Sequence, residues 1–597
     1  MMGSLRRWLA QIAWDRGGLI GLLTLVLYVW IAPGHIVDGD NAEFSTLAAL
    51  GGTAHPSGYP AYVLWLRAWS WLPAESPAHA AAIATALLGA AQMVVLHAAC
   101  RAWGARPAAA SIAVAIFAGA PAVLAIYTEA EVFAMNGLVV SLILWVAATG
   151  GPLRGAWRCA ALGLIAGLGM ANHLTCTLLA PIGVLGVVRG LREMPRGKPV
   201  GALLAVAGLV AGLTPYLYLL VAPEHAGTWG KPETLGDVLH VFLRSDYGGP
   251  GSFAANAAET YPGANLTALG ETFVRTWLYI PGILGVCALG YRCARPGRAE
   301  TRWGWGLLAA CVVISGPALV TRFNLEPRDN LVSYVVERFH LLPMLLLVIP
   351  VAAACELVAA LLERRWSGAV ARLQSRALGM VLVACGFAAV VSTSLPHVLA
   401  AHAPAVELSL RNMVRSLPPG AVVIGSSDDL HSGMPYVQLV LGERPDVIYV
   451  NWAMMRSEWY RARVAARGVT FRVERKGLAS VHVAHSVLAS GRPLFVDRMQ
   501  ANILRALPHH HHGLLYRVLP PGTPAPAIEE VFELNKQLYA AFELTYPRPG
   551  LQDRWPTQIH VRYAWTWKQL ALQLHEARRY EDAAWAIEAA RDLGPQP

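Results

Sequence analysis

The stretch of sequence that decides the fold runs from residue 17 to residue 44 and reads GGLIGLLTLVLYVWIAPGHIVDGDNAEF. Its apolar part, residues 17–33, follows an arginine-bearing N-terminus and approaches the roughly 20 apolar residues that a spanning helix needs. A secretory signal peptide also combines a basic start with an apolar run, but it ends at a small-residue cleavage site. Here the acidic string DGD follows at 38–40. We therefore predict that the run stays in the chain as a membrane anchor.

The whole chain has the composition of a membrane protein. Of its 597 residues 55% are hydrophobic and only 14% are charged, and the mean hydropathy is +0.42. A net charge of +10 could suit nucleic acid, but the arginines fall in short clusters between apolar runs, as the positive-inside bias predicts. We therefore assign no nucleic-acid partner. The eight cysteines lie between Cys100 and Cys385 without a CxxC pair, so neither a disulfide framework nor a zinc site is indicated.

Apolar runs fill the chain as far as Pro396 and predict a polytopic α-helical membrane protein with about eleven transmembrane helices. The predicted spans are 17–33, 79–100, 107–126, 132–149, 159–171, 174–188, 200–221, 272–291, 304–321, 340–362 and 377–395. The Trp-rich piece 59–72 is interpreted as an interfacial helix. Alternation of sides then places the arginine-rich loops together with the N-terminus in the cytoplasm, and the tail after residue 396 outside. The Ala- and Gly-rich composition would suit a bacterial inner (cytoplasmic) membrane.

Four polar segments fall on the predicted extracytoplasmic face. They are DGDNAEF at 38–44 with HPSGYP at 55–60, YTEAEVFAMN at 127–136, GLGMANHLT at 167–175, and TWGKP at 228–232 with RSDYGG at 244–249. Ionisable groups at membrane borders are costly, so their convergence from distant positions indicates a site. The candidate residues are Asp38, Asp40, Glu43, His55, Tyr59, Glu129, Glu131, Asn172, His173, Lys231, Arg244, Asp246 and Tyr247. Taken singly, each segment also has an ordinary interpretation as a solvated loop, a turn, a helix cap or a packing residue.

The ordered set of motifs resembles one family. An acidic DxxEF loop, then HPxGYP, an AEVFAMN-like and a GLxxxNHLT-like segment, VERFHLLP at 336–343 and GERPDVIYVNWAMM at 442–455 are similar to the transmembrane protein O-mannosyltransferases. That family was formerly catalogued as a domain of unknown function and belongs to the GT-C glycosyltransferase superfamily. The resemblance covers most of residues 20–520, and it implies transfer of a sugar from a polyprenyl-phosphate carrier.

The resemblance implies that an acidic residue of the first outer loop is the base, and the matching positions are Asp40 and Glu43. A carboxylate can take the proton of an attacking hydroxyl, and a cation can stabilise the departing lipid phosphate. Arg338 and His340 are the expected phosphate partners, with Lys231 and Arg244 behind them. Arg338 could instead be an interfacial anchor. The DxD string formed by Asp38 and Asp40 could bind a divalent metal, but two carboxylates do not define a site, and no metal ligands are assigned.

The tail is predicted to contain an extracytoplasmic α/β domain, residues 397–525, and a helical region, 526–597. Its strands are expected at 421–425, 446–450, 493–497 and 514–518. SSDDL at 426–430 follows the first strand, where ligands often bind, but an ordinary strand-to-helix connection explains it equally well. The four histidines 509–512 could bind a metal adventitiously, but they are interpreted as a polar loop.

Near the C-terminus, eight positions match the spacing of one tetratricopeptide repeat (TPR). They are Trp567, Leu570, Ala571, Leu574, Ala583, Ile587, Ala590 and Pro595. Because one copy cannot bury its core alone, the unit is expected to pack on preceding helices or on another chain. It could also contact a protein acceptor.

Residues 1–396 are thus predicted to form a GT-C-like catalytic domain. The expected function is inverting transfer of a sugar, with mannose as the default, to protein Ser/Thr or to an envelope glycan or lipid. The rival functions are a transporter or flippase of lipid-linked sugars, and a noncatalytic scaffold. A transporter would distribute polar groups through the membrane and show inverted repeats, and this sequence shows neither pattern.

Overall fold

The computed structural model of the chain describes residues 16–37, 39–249, 259–328, 330–365, 376–471 and 479–596. As far as residue 401, the described chain is helical. The helices are Arg16–Ile31, Gly39–Leu50, Pro60–Ala68, Pro77–Ala102, Pro107–Ala118, Pro121–Tyr127, Phe133–Ala147, Gly155–Asn172, Ala180–Arg192, Lys198–Leu213, Leu235–Phe242, Pro262–Trp277, Ile280–Ala294, Arg302–Val313, Asn330–Leu346, Val348–Arg365 and Arg376–Ala401. Many begin with proline, which suits the first helical position because its missing N–H would have no intrahelical partner there.

Several of these helices could cross a membrane. Four are long and apolar enough by themselves, namely Pro77–Ala102, Leu174–Arg192, Lys198–Leu220 and Val383–Arg415. Three further pairs of helices, each bent by more than 40°, raise the number to seven if each pair counts as one span. This architecture supports a polytopic helical membrane protein. The predicted number of eleven spans stays a prediction.

The segment 159–188 is divided as the sequence predicts. Helix Gly155–Asn172 ends before His173, whose backbone is extended, and the helical stretch Leu174–Arg192 follows. The two helices pack against each other, so the chain reverses direction at His173. The short helix Pro60–Ala68 lies in the piece that was expected to be interfacial.

The tail contains helix Ala405–Arg415 and then an α/β sheet of five strands. The strands are β1 (Val422–Gly425), β2 (Ile448–Asn451), β3 (Leu494–Val496), β4 (His509–His512) and β5 (Leu515–Val518), and they lie in the order β2-β1-β3-β5-β4. β1 is parallel to β2 and β3, whereas β5 is antiparallel to β3 and β4. The helices between strands are Asp428–Pro435, Glu458–Ala466, Ser480–Ala489 and Ala501–Ala506. The domain boundaries given above stay predictions.

The interpretation of residues 509–512 as a polar loop is wrong, because they form the edge strand β4. Gly513 adopts φ +59° in the tight turn to β5, a conformation that favours glycine. Pairing with β5 places His511 against the ring of Tyr516, with centroids 4.4 Å apart, and the Nε2 of His512 donates a 2.8 Å hydrogen bond to the carbonyl oxygen of Ser416. These contacts bury two of the four imidazoles.

Three helices end the chain, Ile528–Ala540, Arg554–Glu576 and Tyr580–Leu593. The last two form a hairpin whose core contains most of the residues that were expected from the repeat spacing. The hairpin packs on preceding helices, and Arg554 forms a 2.8 Å ion pair with Glu337 of helix Asn330–Leu346. Its assignment as a TPR unit stays a prediction.

Candidate active site

A cavity of about 290 Å³ lies where the first loop, helix Asn330–Leu346 and the tail meet. Its charged and polar lining comes from segments that are far apart in sequence. The lining includes Asp40, Glu43, His55, Tyr59, Glu131, His173, Arg244, Tyr247, Asn324, Arg338, Asp428, His431 and Ser432. These residues come from several separate segments of the chain, so the cavity exists only in the folded protein.

Arg338 joins two carboxylates at the centre of the cavity. Its Nη1 donates to Oδ2 of Asp40 and, over 2.6 Å, to Oε1 of Glu131. Asp40 stands in the first turn of helix Gly39–Leu50, a position that favours an acidic side chain. Burial disfavours its charge, but the guanidinium of Arg338 outweighs this and holds the pKa of Asp40 below its usual value. Asp40 is therefore ionised at neutral pH.

Glu43 and His55 form a second pair. The Nδ1 of His55 lies 2.5 Å from one carboxylate oxygen of Glu43, and the backbone N–H of His55 donates to the other over 2.8 Å. The turn that brings His55 back uses Gly52 at φ +118° and Gly58 at φ +86°. Burial disfavours the imidazolium, but the charge and hydrogen bond of Glu43 prevail and raise the pKa of His55 to about 9. Both oxygens of Glu43 are thus engaged.

Aromatic rings line one side of the cavity around His173. The ring of Tyr59 stacks on His173 with centroids 5.9 Å apart, and Phe133 lies 5.0 Å away. Burial and the positive charges of Arg244 and Arg338 lower the pKa of His173 to about 3, so its imidazole is neutral. Its Nδ1 lies 2.7 Å from the hydroxyl of Thr175. His173 is therefore a packing and hydrogen-bonding group in this state rather than a cation.

Arg244 carries a positive charge that no carboxylate neutralises. It precedes the short turn Ser245–Tyr247 with φ +55°, and its guanidinium lies 5.3 Å from the centre of the Tyr247 ring. Its Nε is buried without a hydrogen-bond partner, and no acidic residue in the described ranges forms an ion pair with it. Of the two described arginines that line the cavity, Arg244 is therefore the one available to an anion.

The tail supplies residues to the cavity that the sequence did not single out. Asp428, His431 and Ser432 come from helix Asp428–Pro435, and Trp555 comes from the start of helix Arg554–Glu576. Asp428 lies in SSDDL, directly after β1. This position at the end of a strand was the sequence feature that could have indicated a site residue. Asp428 is exposed, and it contributes to the cavity lining. The surrounding protein and the negative charge of Asp40 raise the pKa of Asp428 to about 6.

Five predicted site residues do not line the cavity. Glu129 is buried and accepts a 2.8 Å hydrogen bond from Tyr334, and Asn172 donates to the carbonyl of Val132 over 3.2 Å. Lys231 is exposed, and Asp246 accepts a 3.1 Å hydrogen bond from the indole of Trp229, which does line the cavity. Asp38 lies outside the described residues, so the DxD string has no structural description.

His340 is the fifth described residue that was predicted for the site but does not line the cavity. Its position corrects the expectation that it stands beside Arg338 as a phosphate partner. Residues two apart on a helix point in different directions. The imidazole of His340 is buried, and its Nδ1 lies 2.8 Å from the hydroxyl of Thr272. Arg338 itself faces the cavity, but two carboxylates already share its charge.

Three side chains of the cavity could together hold a metal ion. Ligand atoms of Asp40, Glu43 and His55 all lie within 4.8 Å of one another. In the arrangement described here, however, His55 is protonated by its pairing with Glu43, and Asp40 is paired with Arg338. Binding of a divalent cation would need loss of the His55 proton, because the imidazolium has no lone pair for a metal.

The chain resembles known proteins in sequence and in structure. Residues 40–193 match the family described as the Protein O-mannosyl-transferase TMEM260 N-terminal domain. Protein O-mannosyl-transferase TMEM260 of Mus musculus is 26% identical over 483 residues, which are 77% of this chain and 67% of the mouse protein. Among solved structures, ArnT from Cupriavidus metallidurans in the apo state superposes with a TM-score of 0.51 at 14% identity, covering 88% of this chain and all of ArnT. The chain therefore resembles a protein O-mannosyl-transferase in sequence and ArnT in fold, and these similarities support a membrane glycosyltransferase.

Proposed function

We propose that the chain transfers a sugar from a polyprenyl-phosphate carrier to a hydroxyl acceptor on the extracytoplasmic face of a membrane. The observation that supports this function is a cavity whose lining combines two chemistries. Carboxylates and arginines line it together with apolar side chains, which are Phe133, Phe323, Leu325, Val335, Val336 and Phe339. A prenyl chain suits the apolar side chains, and the phosphate and sugar suit the charged ones.

The phosphate of the donor pairs first with Arg244 in this proposal. Arg244 has no carboxylate partner among the described residues, whereas Arg338 is shared by Asp40 and Glu131. A guanidinium forms charge-assisted hydrogen bonds with phosphate oxygens, and these strengthen as the leaving phosphate gains negative charge. Arg338 is the second phosphate partner, once the donor draws it away from Asp40.

Asp40 is the proposed base. Its pair with Arg338 uses Oδ2, which leaves Oδ1 for the acceptor hydroxyl, whereas His55 engages both oxygens of Glu43. The hydroxyl oxygen attacks the anomeric carbon while its proton passes to Asp40, and the bond from that carbon to the phosphate oxygen breaks. A single displacement of this kind inverts the anomeric configuration. A donor phosphate that attracts Arg338 would also restore basicity to Asp40, because the ion pair is what lowers its pKa.

The sugar and the acceptor are proposed by similarity. The mouse relative is a protein O-mannosyl-transferase by name, so mannose and protein hydroxyls are the first choices for this chain. An envelope glycan or lipid is the alternative acceptor, and the C-terminal helical hairpin is the proposed contact for a protein. The proposed location is a bacterial inner membrane, with the tail extracytoplasmic.

The direct test is transfer in vitro by the purified full-length chain in lipid nanodiscs. Polyprenyl-phosphate mannose and glucose are supplied with peptide or envelope-glycan acceptors, with and without EDTA, and products are identified by mass spectrometry. We expect a glycosylated product of inverted configuration that the Asp40→Asn variant does not form. Movement of the lipid-linked sugar across a bilayer without any glycosylated product would favour the flippase function instead.

A further inference from the structure

The carboxylates of the cavity differ in their partners. Among the residues that the structure describes, four line it, and three of these face a cation: Asp40 and Glu131 share Arg338, and Glu43 pairs with His55. The fourth is Asp428, which the C-terminal domain contributes. Within the residues that the structure describes, no cation forms an ion pair with Asp428. Its two oxygens are thus available as hydrogen-bond acceptors inside the cavity.

Asp428 is held firmly although it has no partner of its own. The next residue, Asp429, is fully buried and receives two hydrogen bonds from Arg562, of 2.7 and 3.0 Å. This clamp fixes the start of helix Asp428–Pro435, which packs on helix Gly39–Leu50. A Cβ built on Gly39 would lie 3.7 Å from the Cβ of Asp428. The carboxyl group of Asp428 is therefore held beside the turn that carries Asp40.

Within the described part of the chain, two charged residues of the cavity form no ion pair, Arg244 and Asp428. A ligand that fits both must present an anion to the guanidinium and neutral hydrogen-bond donors to the carboxylate. A second phosphate or a carboxylate ligand at Asp428 would be repelled. A glycosyl phosphate meets both requirements, because its phosphate is the anion and its ring hydroxyls are the donors.

We propose that Asp428 is a specificity-determining residue that accepts hydrogen bonds from hydroxyls of the transferred sugar. The C-terminal domain thereby takes part in choosing the donor. This inference rests on the proposed function, since it assigns the ligand of the same cavity. A site that receives a hydroxyl discriminates against analogues that lack it, because the acceptor then loses its donor within the cavity.

The experiment compares the parent polyprenyl-phosphate sugar with a series of its monodeoxy analogues. Wild-type protein and the Asp428→Ala variant are assayed for transfer, and donor binding is measured without an acceptor. We expect Asp428→Ala to reduce kcat/KM for the parent donor by about tenfold to a hundredfold. At least one deoxy donor should lose a similar factor with wild-type protein and lose almost nothing further with the variant.

The matched control is Asp446→Ala, which removes a carboxylate of the same domain that pairs with Arg444 outside the cavity. It should behave as wild type with every donor. An equal loss by Asp428→Ala for all donors, or a loss confined to kcat with an altered pH profile, would assign Asp428 to proton transfer and overturn the inference. So would unchanged discrimination among the deoxy donors.

The binding measurement separates this inference from the proposed function. If wild-type protein binds the donors and discriminates among them through Asp428 but transfers nothing, the proposed function fails and the sugar subsite stands. If it binds none of the polyprenyl-phosphate sugars, both are wrong. The melting temperature of Asp428→Ala should match that of wild type, because the carboxylate makes no ion pair in the described structure.

Discussion

Replacing Arg338 by methionine removes the cation that Asp40 and Glu131 share. Glu131 is only 1% exposed, so the change leaves a buried negative charge without that guanidinium, whereas the Asp40 side chain is 33% exposed and gains partial hydration. We therefore expect Arg338→Met to lower the free energy of unfolding. Loss of activity in this variant would then arise partly from the lower stability of the fold. It would not by itself show that Arg338 binds phosphate.

The size of the effect follows from the burial of the two carboxylates. Removing one partner of a buried ion pair costs about 3–5 kcal/mol, and the hydration of Asp40 favours the lower end, about 3 kcal/mol. Neutralising Glu131 in the same chain should recover part of this loss. The double variant Arg338→Met with Glu131→Gln is expected to be more stable than the single variant by at least about 1 kcal/mol.

The assay is equilibrium unfolding in mixed detergent micelles, with helical circular dichroism as the signal. Arg295→Met, which removes an exposed arginine outside the cavity, is the matched control and should unfold as wild type. If Arg338→Met also unfolded as wild type, the shared ion pair would not stabilise the fold. If the double variant were less stable than the single one, Glu131 would not carry the uncompensated charge.

Four further predictions concern the site and the topology. Arg244→Gln should lower kcat/KM for the donor by roughly tenfold to a hundredfold without changing the melting temperature, and equal kinetics would exclude it as the phosphate partner. Asp40→Asn should reduce transfer by about a hundred- to ten-thousandfold with normal folding; a larger loss in Glu43→Gln would exchange the two roles. The raised pKa of His55, about 9, means that its pair with Glu43 stabilises the fold at low pH and is lost as pH rises through 9. Wild-type protein should therefore lose stability above neutrality more steeply than His55→Gln, as thermal melts between pH 6 and pH 10 would show. For the topology, reporter fusions should place the tail on the side of the membrane opposite Arg192.

Sequence alone determined the features that depend on local pattern. Long apolar runs identify membrane helices because the bilayer core imposes both their length and their composition. The pairing of Glu43 with His55 could also have been predicted from the sequence, because both residues lie between the first two predicted spans. Strand positions in the tail followed from short β-rich runs, although residues 509–512 were misjudged. A polar run can form a strand when its partner strand and a glycine turn supply the hydrogen bonds.

Only the tertiary structure decided which charges meet. Arg338 lies 298 positions from Asp40 and 207 from Glu131, and no periodicity predicts which helix faces bring them together. The same helix turns His340 away from the cavity, because its rotation about its own axis is set by packing. Asp428 reaches the cavity because the clamp from Arg562 fixes its helix against the first loop. Sequence thus specified the chemical groups and the membrane class, whereas long-range packing specified their neighbours, and the neighbours determine which charges remain available to a substrate.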